Sequence, residues 1–367
     1  MGSRRSGRDQ KGTGQLLMLF NVPLIPDEDY TRFLNQHAGS LDACHFSLYS
    51  MNWFDSRHRC EFVDTTRIVE CLKSVDIPRK YLLANSRVHP RGAYLDRKRL
   101  REAVATLELM LGAGVIDGIV FSDPYYLQAV SDAGDDALSQ IEAIPSVNCM
   151  LDSPDKVHAF LEFISGTRFK LPSRLILDRS LNRNMDALAV ISSLLRKCYP
   201  DVLIELMANE GCLLHCPYKL THDCLIALGN MEERAYSWTM NMDLGCGRVL
   251  QRHPSRLFKS PFIRPEDVRA YEPYVDILKL CGRTLGPSFL KKVVGAYLTG
   301  TFSGNLLELL DAMDWLARWL HVSNHELPAD FLHRLINCDG NCTPCSYCTD
   351  LLNRYARRKE FSLERNS

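Results

Sequence analysis

From Leu16 onward the chain alternates short apolar runs of β character with stretches whose apolar residues recur at helical spacing, and Pro, Gly, Asn or Asp punctuates each run. That alternation is the pattern of βα units, which bury a strand on both faces and return the chain through a helix. It predicts strands over residues 16–22, 43–49, 81–85, 118–121, 146–150, 174–177, 202–207 and 276–280, with helices over 95–111, 154–164 and 185–197. Eight such strands suit an α/β fold of the TIM-like (β/α) barrel type, spanning residues 16–300; an open doubly wound sheet is the alternative. No G-x-G-x-x-G follows a strand and no G-x-x-x-x-G-K-[ST] loop is present, which weakens nucleotide-binding readings.

Residues 1–15 are rich in Gly, Ser and basic side chains with nothing to bury, and read as a flexible tail. Gly2 and Ser6 fit the loose N-myristoylation pattern, with Arg4, Arg5 and Arg8 able to attract anionic lipid, although patterns this short recur by chance. Residues 301–367 read as a helical, cysteine-rich extension, in which Leu306, Leu309, Leu310, Met313 and Leu316 form an apolar stripe suited to packing on the barrel.

Lys+Arg and Asp+Glu both number 44, so no net field steers the chain towards nucleic acid or anionic membrane, and a nucleic-acid partner would need a local basic patch. No apolar run is long enough to span a bilayer, the N-terminus lacks a signal-peptide core, and a cytoplasmic location is expected. In a reducing compartment the 14 cysteines are better explained by metal binding than by disulfides where they cluster.

One cluster follows the run 202–207. Cys212 and Cys216 are separated by three residues in a Gly-Cys, Cys-Pro loop context, and Cys246 in a Gly-flanked loop could supply a third thiolate. Residues that follow a barrel strand line its active face. Cys224 reads equally well as core, and Cys44, at a strand start beside His45, is a candidate fourth ligand. Cys60, Cys71, Cys149, Cys198 and Cys281 are scattered and read mostly as small core hydrophobes.

The other cluster places Cys338, Cys342, Cys345 and Cys348 within eleven residues, a density that favours an iron–sulfur cluster over a zinc ribbon. Its C-x3-C-x2-C start has the spacing of radical S-adenosylmethionine enzymes, but sits far too late in the chain for that fold. These thiols either hold a cluster of their own or complete the site at Cys212, Cys216 and Cys246.

Glu205 sits in an apolar run where a carboxylate needs a partner or a shifted pKa, and Arg283 is the natural candidate. His215 and His222 flank the cysteines, and Asn85 and Arg87 end a strand on the same face. No Ser/His/Asp order and no H-E-x-x-H helix supports a conventional hydrolase.

Residues 204–212 with Cys216, and 260–267 together with 276–283, resemble the collagenase-like unclassified peptidase family 32 (U32). The resemblance covers roughly residues 80–300, and it implies a barrel carrying an iron–sulfur cluster. Despite the peptidase name, family relatives in ubiquinone synthesis and in tRNA or rRNA modification are implicated in oxygen-independent hydroxylation, with prephenate implied as oxygen donor in some. The resemblance thus implies a 4Fe-4S cluster at Cys212, Cys216 and Cys246, with Glu205, His222 and Arg283 as catalytic candidates. The substrate would be an aromatic small molecule, a nucleobase or a peptide, and a redox partner or homologous subunit would assist. A U32-type peptidase and a non-catalytic iron–sulfur electron carrier or scaffold are the alternatives. The cysteine spacing differs from that of the best-known members, and the 338–348 motif is an addition.

Overall fold

A computed structural model of the chain describes residues 18–49, 54–55, 63–232 and 236–359. The tail with its lipidation pattern, and Cys60, lie outside them. Strand and helix alternate as β1 (Leu19–Pro23), α1 (Glu28–Gln36), β2 (Leu41–Phe46), α2 (Thr65–Ser74), β3 (Arg79–Ala84), α3 (Arg97–Gly112), β4 (Gly118–Phe121), α4 (Pro124–Ala133), β5 (Glu142–Pro145), α5 (Pro154–Ser165), β6 (Arg174–Ile176), α6 (Met185–Cys198) and β7 (Leu203–Met207). Three helices, α7 (Lys219–Glu232), α8 (Tyr236–Asp243) and α9 (Cys246–Arg252), then precede β8 (Ile277–Lys279) and α10 (Gly286–Thr299).

The eight strands form one parallel sheet in the order β5-β4-β3-β2-β1-β8-β7-β6. Its ends meet where Lys170, just before β6, exchanges backbone hydrogen bonds with β5: Ala143 N–H to the Lys170 carbonyl at 3.0 Å, and Lys170 N–H to the Ile141 carbonyl at 2.9 Å. The sheet is thereby a TIM-like barrel. Runs such as Gly-Ile-Val-Phe in β4 are buried on both faces, as a helix-wrapped parallel strand must be. Several return helices start on a capping side chain: Asp27, Asp96, Asp123, Ser153 and Asn184 each accept a first-turn N–H of α1, α3, α4, α5 and α6.

Two sequence expectations are corrected. The predicted strand over 146–150 is a short turn, and β5 lies before it. The Ser146 hydroxyl accepts the Asn148 N–H and bends the chain there, and Met150 closes the turn at φ 53°. The C-terminal extension is not wholly helical. It comprises α11 (Asp314–Ala317), β9 (Leu320–Val322), α12 (Phe331–Ile336), α13 (Tyr347–Tyr355) and β10 (Ala356–Arg358), with β9 and β10 pairing antiparallel. All five residues of the predicted apolar stripe are buried, but along a 3-10 turn and α11 rather than on one helix. Leu309 joins the barrel core; the other four build a second core with Leu250, Leu257, Phe258 and Phe262.

Candidate functional site

The barrel interior holds a closed ionic cluster. Glu205 on β7 is fully buried and accepts from Asn21 Nδ2 at 3.1 and 3.2 Å, with Arg174 Nη1 at 3.5 Å and Lys279 Nζ at 3.8 Å. Arg174 also pairs with Asp42 at 2.6 Å, and its guanidinium lies over the Tyr81 ring, 4.7 Å from the centroid. Asn21 Oδ1 stands 2.9 Å from His45 Nδ1. Burial pushes Lys279 below its usual pKa, against the pull of Glu205. Taking these charges out of water is costly unless they stay paired, which they do here.

Arg283 is therefore not the partner of Glu205. Its guanidinium forks onto Asp55, Nε to Oδ2 at 3.0 Å and Nη2 to Oδ1, and the Ser47 hydroxyl donates to the same carboxylate. This pair fixes the 54–55 segment at the C-terminal end of the barrel.

The first cysteine cluster lies at that same end. Gly211 follows β7, and a Cβ there would meet the Met313 side chain at 2.2 Å, so the chain passes tightly under the extension. His215, between Cys212 and Cys216, adopts φ 50°, the left-handed geometry that folds the loop back on itself. Cys246 is the first residue of α9, so the N–H groups of Cys246 and Gly247 at the free helix end favour a negative sulfur.

The three thiols are half-buried and share a neighbourhood. Burial raises the Cys246 thiol, and Cys216 raises it further; burial and then Glu210 push Cys212 well up, with Cys246 adding to the rise. Glu210 accepts a hydrogen bond from the Cys212 thiol at 3.3 Å and is itself paired with Arg179. Among the described residues, no three His, Cys, Asp or Glu side chains are arranged to hold a metal ion.

Cys212, Cys246 and His222 line one cavity of about 350 Å³, together with Asn230, Trp238 and Asp311. The His222 ring contacts the Asn241 amide, Nε2 to Nδ2 at 2.6 Å. Thr284 and Leu285, next to Arg283, also reach this cavity, whereas Glu205 does not.

Cys44 cannot join the set. It packs on the outer face of β2 beneath the helices, and burial pushes its thiol up to about 12. Cys198 is exposed rather than core. Asn85 and Arg87 do end β3 on the same face, and Arg87 donates to the Asn148 carbonyl. Sequence reasoning passed over Arg179, Glu210, Lys219, Asp55 and Asn241. Glu210, two residues before Cys212, and Lys219, three after Cys216, lie in the motif itself, whereas Arg179, Asp55 and Asn241 come from separate segments and only the fold reveals them.

The second cluster lies in the extension. Cys338, Cys342, Cys345 and Cys348 all line a hollow of about 620 Å³ between α12, α13 and the turn at Lys259, and Lys259 Nζ donates to the Cys342 sulfur. A larger groove of about 980 Å³ runs between the 213–217 loop and residues 338–340.

No family model matches the chain. Among curated proteins it is 27% identical over 250 residues to the protein named Uncharacterized protease MJ1657 of Methanocaldococcus jannaschii, a match covering 66% of this chain and 68% of that protein. Among solved structures, the U32 peptidase Mk0906 aligns with 77% of this chain and 98% of its own at TM-score 0.45 and 14% identity. The carboxyl transferase domain from Rhizobium etli pyruvate carboxylase aligns with 72% of this chain and 40% of its own, at TM-score 0.32 and 9% identity. No helix of the described residues is long and apolar enough to cross a membrane.

Proposed function

We propose that this chain, which resembles the U32 peptidase-like family in sequence and is 27% identical over 250 residues to a protein named a protease, is an iron–sulfur enzyme that hydroxylates, or otherwise modifies by redox chemistry, an aromatic, nucleobase or peptide substrate without molecular oxygen. The observation that carries this reading is the meeting of Cys212 and Cys246 with His222 in one cavity at the C-terminal end of the barrel, with Cys216 beside them.

The donor set fits an iron–sulfur cluster, since soft thiolates select such clusters over hard cations. Cys212, Cys216 and Cys246 would hold it after the half-buried thiols turn towards one another. Such a cluster supplies one-electron chemistry to a bound substrate. The protein's own part is positioning. Glu210, held by Arg179, orients Cys212, and the N–H groups at the start of α9 stabilise sulfur charge at Cys246. His222 stands at the cavity wall, where its ring can exchange a proton with a substrate; Arg283 and Asp55 keep the barrel mouth shaped around it. Glu205 acts from beneath, holding Arg174 and Lys279.

The test is iron and acid-labile sulfide content of anaerobically purified protein beside a Cys212→Ser/Cys216→Ser variant. Iron in the wild type that falls in the variant is the expected result; equal iron in both would remove the Cys212 site from the argument. A U32-type peptidase is the second reading, favoured by the protease name of the curated relative and by the open groove of about 980 Å³, wide enough for an extended peptide. It predicts peptide cleavage that survives chelation of iron.

A further inference from the structure

We infer that Cys338, Cys342, Cys345 and Cys348 hold an iron–sulfur cluster of their own, separate from the site at Cys212. The inference stands whether or not the Cys212 site is filled.

Separation is the first argument. The hollow that all four C-terminal cysteines line is touched by none of Cys212, Cys216 and Cys246, and the cavity lined by Cys212 and Cys246 is touched by none of the four. The two sets also belong to different parts of the fold, one in the loops that end barrel strands and one between α12 and α13.

Charge is the second. Four thiolates around a metal centre leave a net negative site, and three cations border this hollow: Lys259, Arg256 and Arg334. Lys259 already donates to the Cys342 sulfur. The four sulfurs line one hollow, although no three of them are arranged to hold a metal ion as they stand. Arg334 is steadied by the Tyr347 ring at 4.8 Å from the centroid.

Size and spacing favour a cluster over a single ion. Zinc draws four thiolates to about 2.3 Å around one atom, and its ribbons separate two C-x-x-C pairs by a longer stretch. Here four cysteines follow one another within eleven residues around a hollow of about 620 Å³, with Gly340 at φ 76° turning the chain between the first two. Cys338, Cys342 and Cys345 are exposed, so their sulfurs can rotate into the hollow without disturbing any packed core.

The experiment uses the full chain, purified anaerobically and reconstituted with ferrous iron and sulfide. Iron, sulfide and zinc per chain are measured for the wild type, for Cys342→Ser/Cys345→Ser, for Cys212→Ser/Cys216→Ser and for all four changes together. Circular dichroism confirms that each variant is folded. The expected result is that Cys342→Ser/Cys345→Ser loses its own share, about half of the iron if both sites fill, and that the remainder disappears only in the quadruple variant. Iron lost in Cys342→Ser/Cys345→Ser but unchanged in Cys212→Ser/Cys216→Ser would sustain this site and remove the other. Iron unchanged in Cys342→Ser/Cys345→Ser, complete loss with either pair alone, or zinc in place of iron would each overturn the inference. Lys259→Met provides a second readout: removing a positive charge beside the sulfurs should move the reduction midpoint of the signal retained in Cys212→Ser/Cys216→Ser to a more negative value, and an unmoved midpoint would count against the site.

Discussion

The molecule contains two kinds of polar centre, and they are built on opposite principles. Inside the barrel, Glu205, Arg174, Lys279 and Asn21 are buried, with the partly exposed Asp42 at their edge, and the charges are matched. At the barrel mouth and in the extension, the cysteines are half-buried or exposed, and they face cavities rather than one another's ideal partners. A closed centre has its charges paired and serves the fold, here with Lys279 Nζ and Arg174 Nε left without a hydrogen-bond partner. An open centre has capacity left for something else, which is why we propose function for the cysteines and stability for Glu205.

If that division is right, Glu205→Ala carries the largest penalty. It strands Arg174 and Lys279 in the interior and should cost about 3–5 kcal/mol, read as a lowered urea midpoint. A loss below about 1 kcal/mol would mean the interior cluster is not a closed unit.

Alkaline pH should also act on the closed parts first. Burial pushes the thiols of Cys44, Cys149 and Cys281 from 9.0 up to about 12. A raised folded pKa means that the stabilisation is complete below pH 9.0 and is lost as pH climbs towards about 12. Each thiol steepens the fall by up to about 1.4 kcal/mol per pH unit. Cys281→Ala should flatten the profile, whereas Cys345→Ser, at an exposed position, should leave it alone.

Arg283→Lys tests the boundary between the two centres. It keeps the charge but loses the fork on Asp55, at an expected cost of about 1 kcal/mol, with a larger relative effect on turnover if the barrel mouth shapes the site. Smallest of all, Cys342→Ser/Cys345→Ser in protein stripped of metal should shift stability by no more than about 0.5 kcal/mol. A change several times larger would place these residues in the packing of the extension instead.

The strand and helix periodicity, read along the chain, revealed the βα units and favoured a barrel over an open sheet because burial on both faces leaves continuous apolar runs, and the resemblance to a peptidase family noted from residues 204–212 and 276–283 is in keeping with the protease name of the curated relative. The misplaced strand at 146–150 shows the limit of that signal. Apolar Val147, Cys149 and Met150 look β-like, yet a single Ser146 hydroxyl turns the backbone. The pairing of Glu205 was misread for a different cause. A buried carboxylate announces its need for a cation, but Arg174 lies 31 positions away in sequence and meets it only through the β6–β7 register. The cysteine clusters were legible as chemistry because of their density, while Arg179 and Asp55, which hold their surroundings, carry no local signature.

The short β9–β10 ladder has a consequence for the loop it encloses. Ser323 N–H bonds the Tyr355 carbonyl at 2.9 Å and Lys359 N–H bonds the Trp319 carbonyl at 2.9 Å, so the chain leaving the barrel and the chain returning from α13 are stapled side by side. Cys338 to Cys348 thus hang from a stem closed at its base, and most of the chain entropy of drawing their ends together is spent when the stem forms. A loop in that condition can change its own conformation without unfolding the stem, much as a clasp opens while its hinge stays shut.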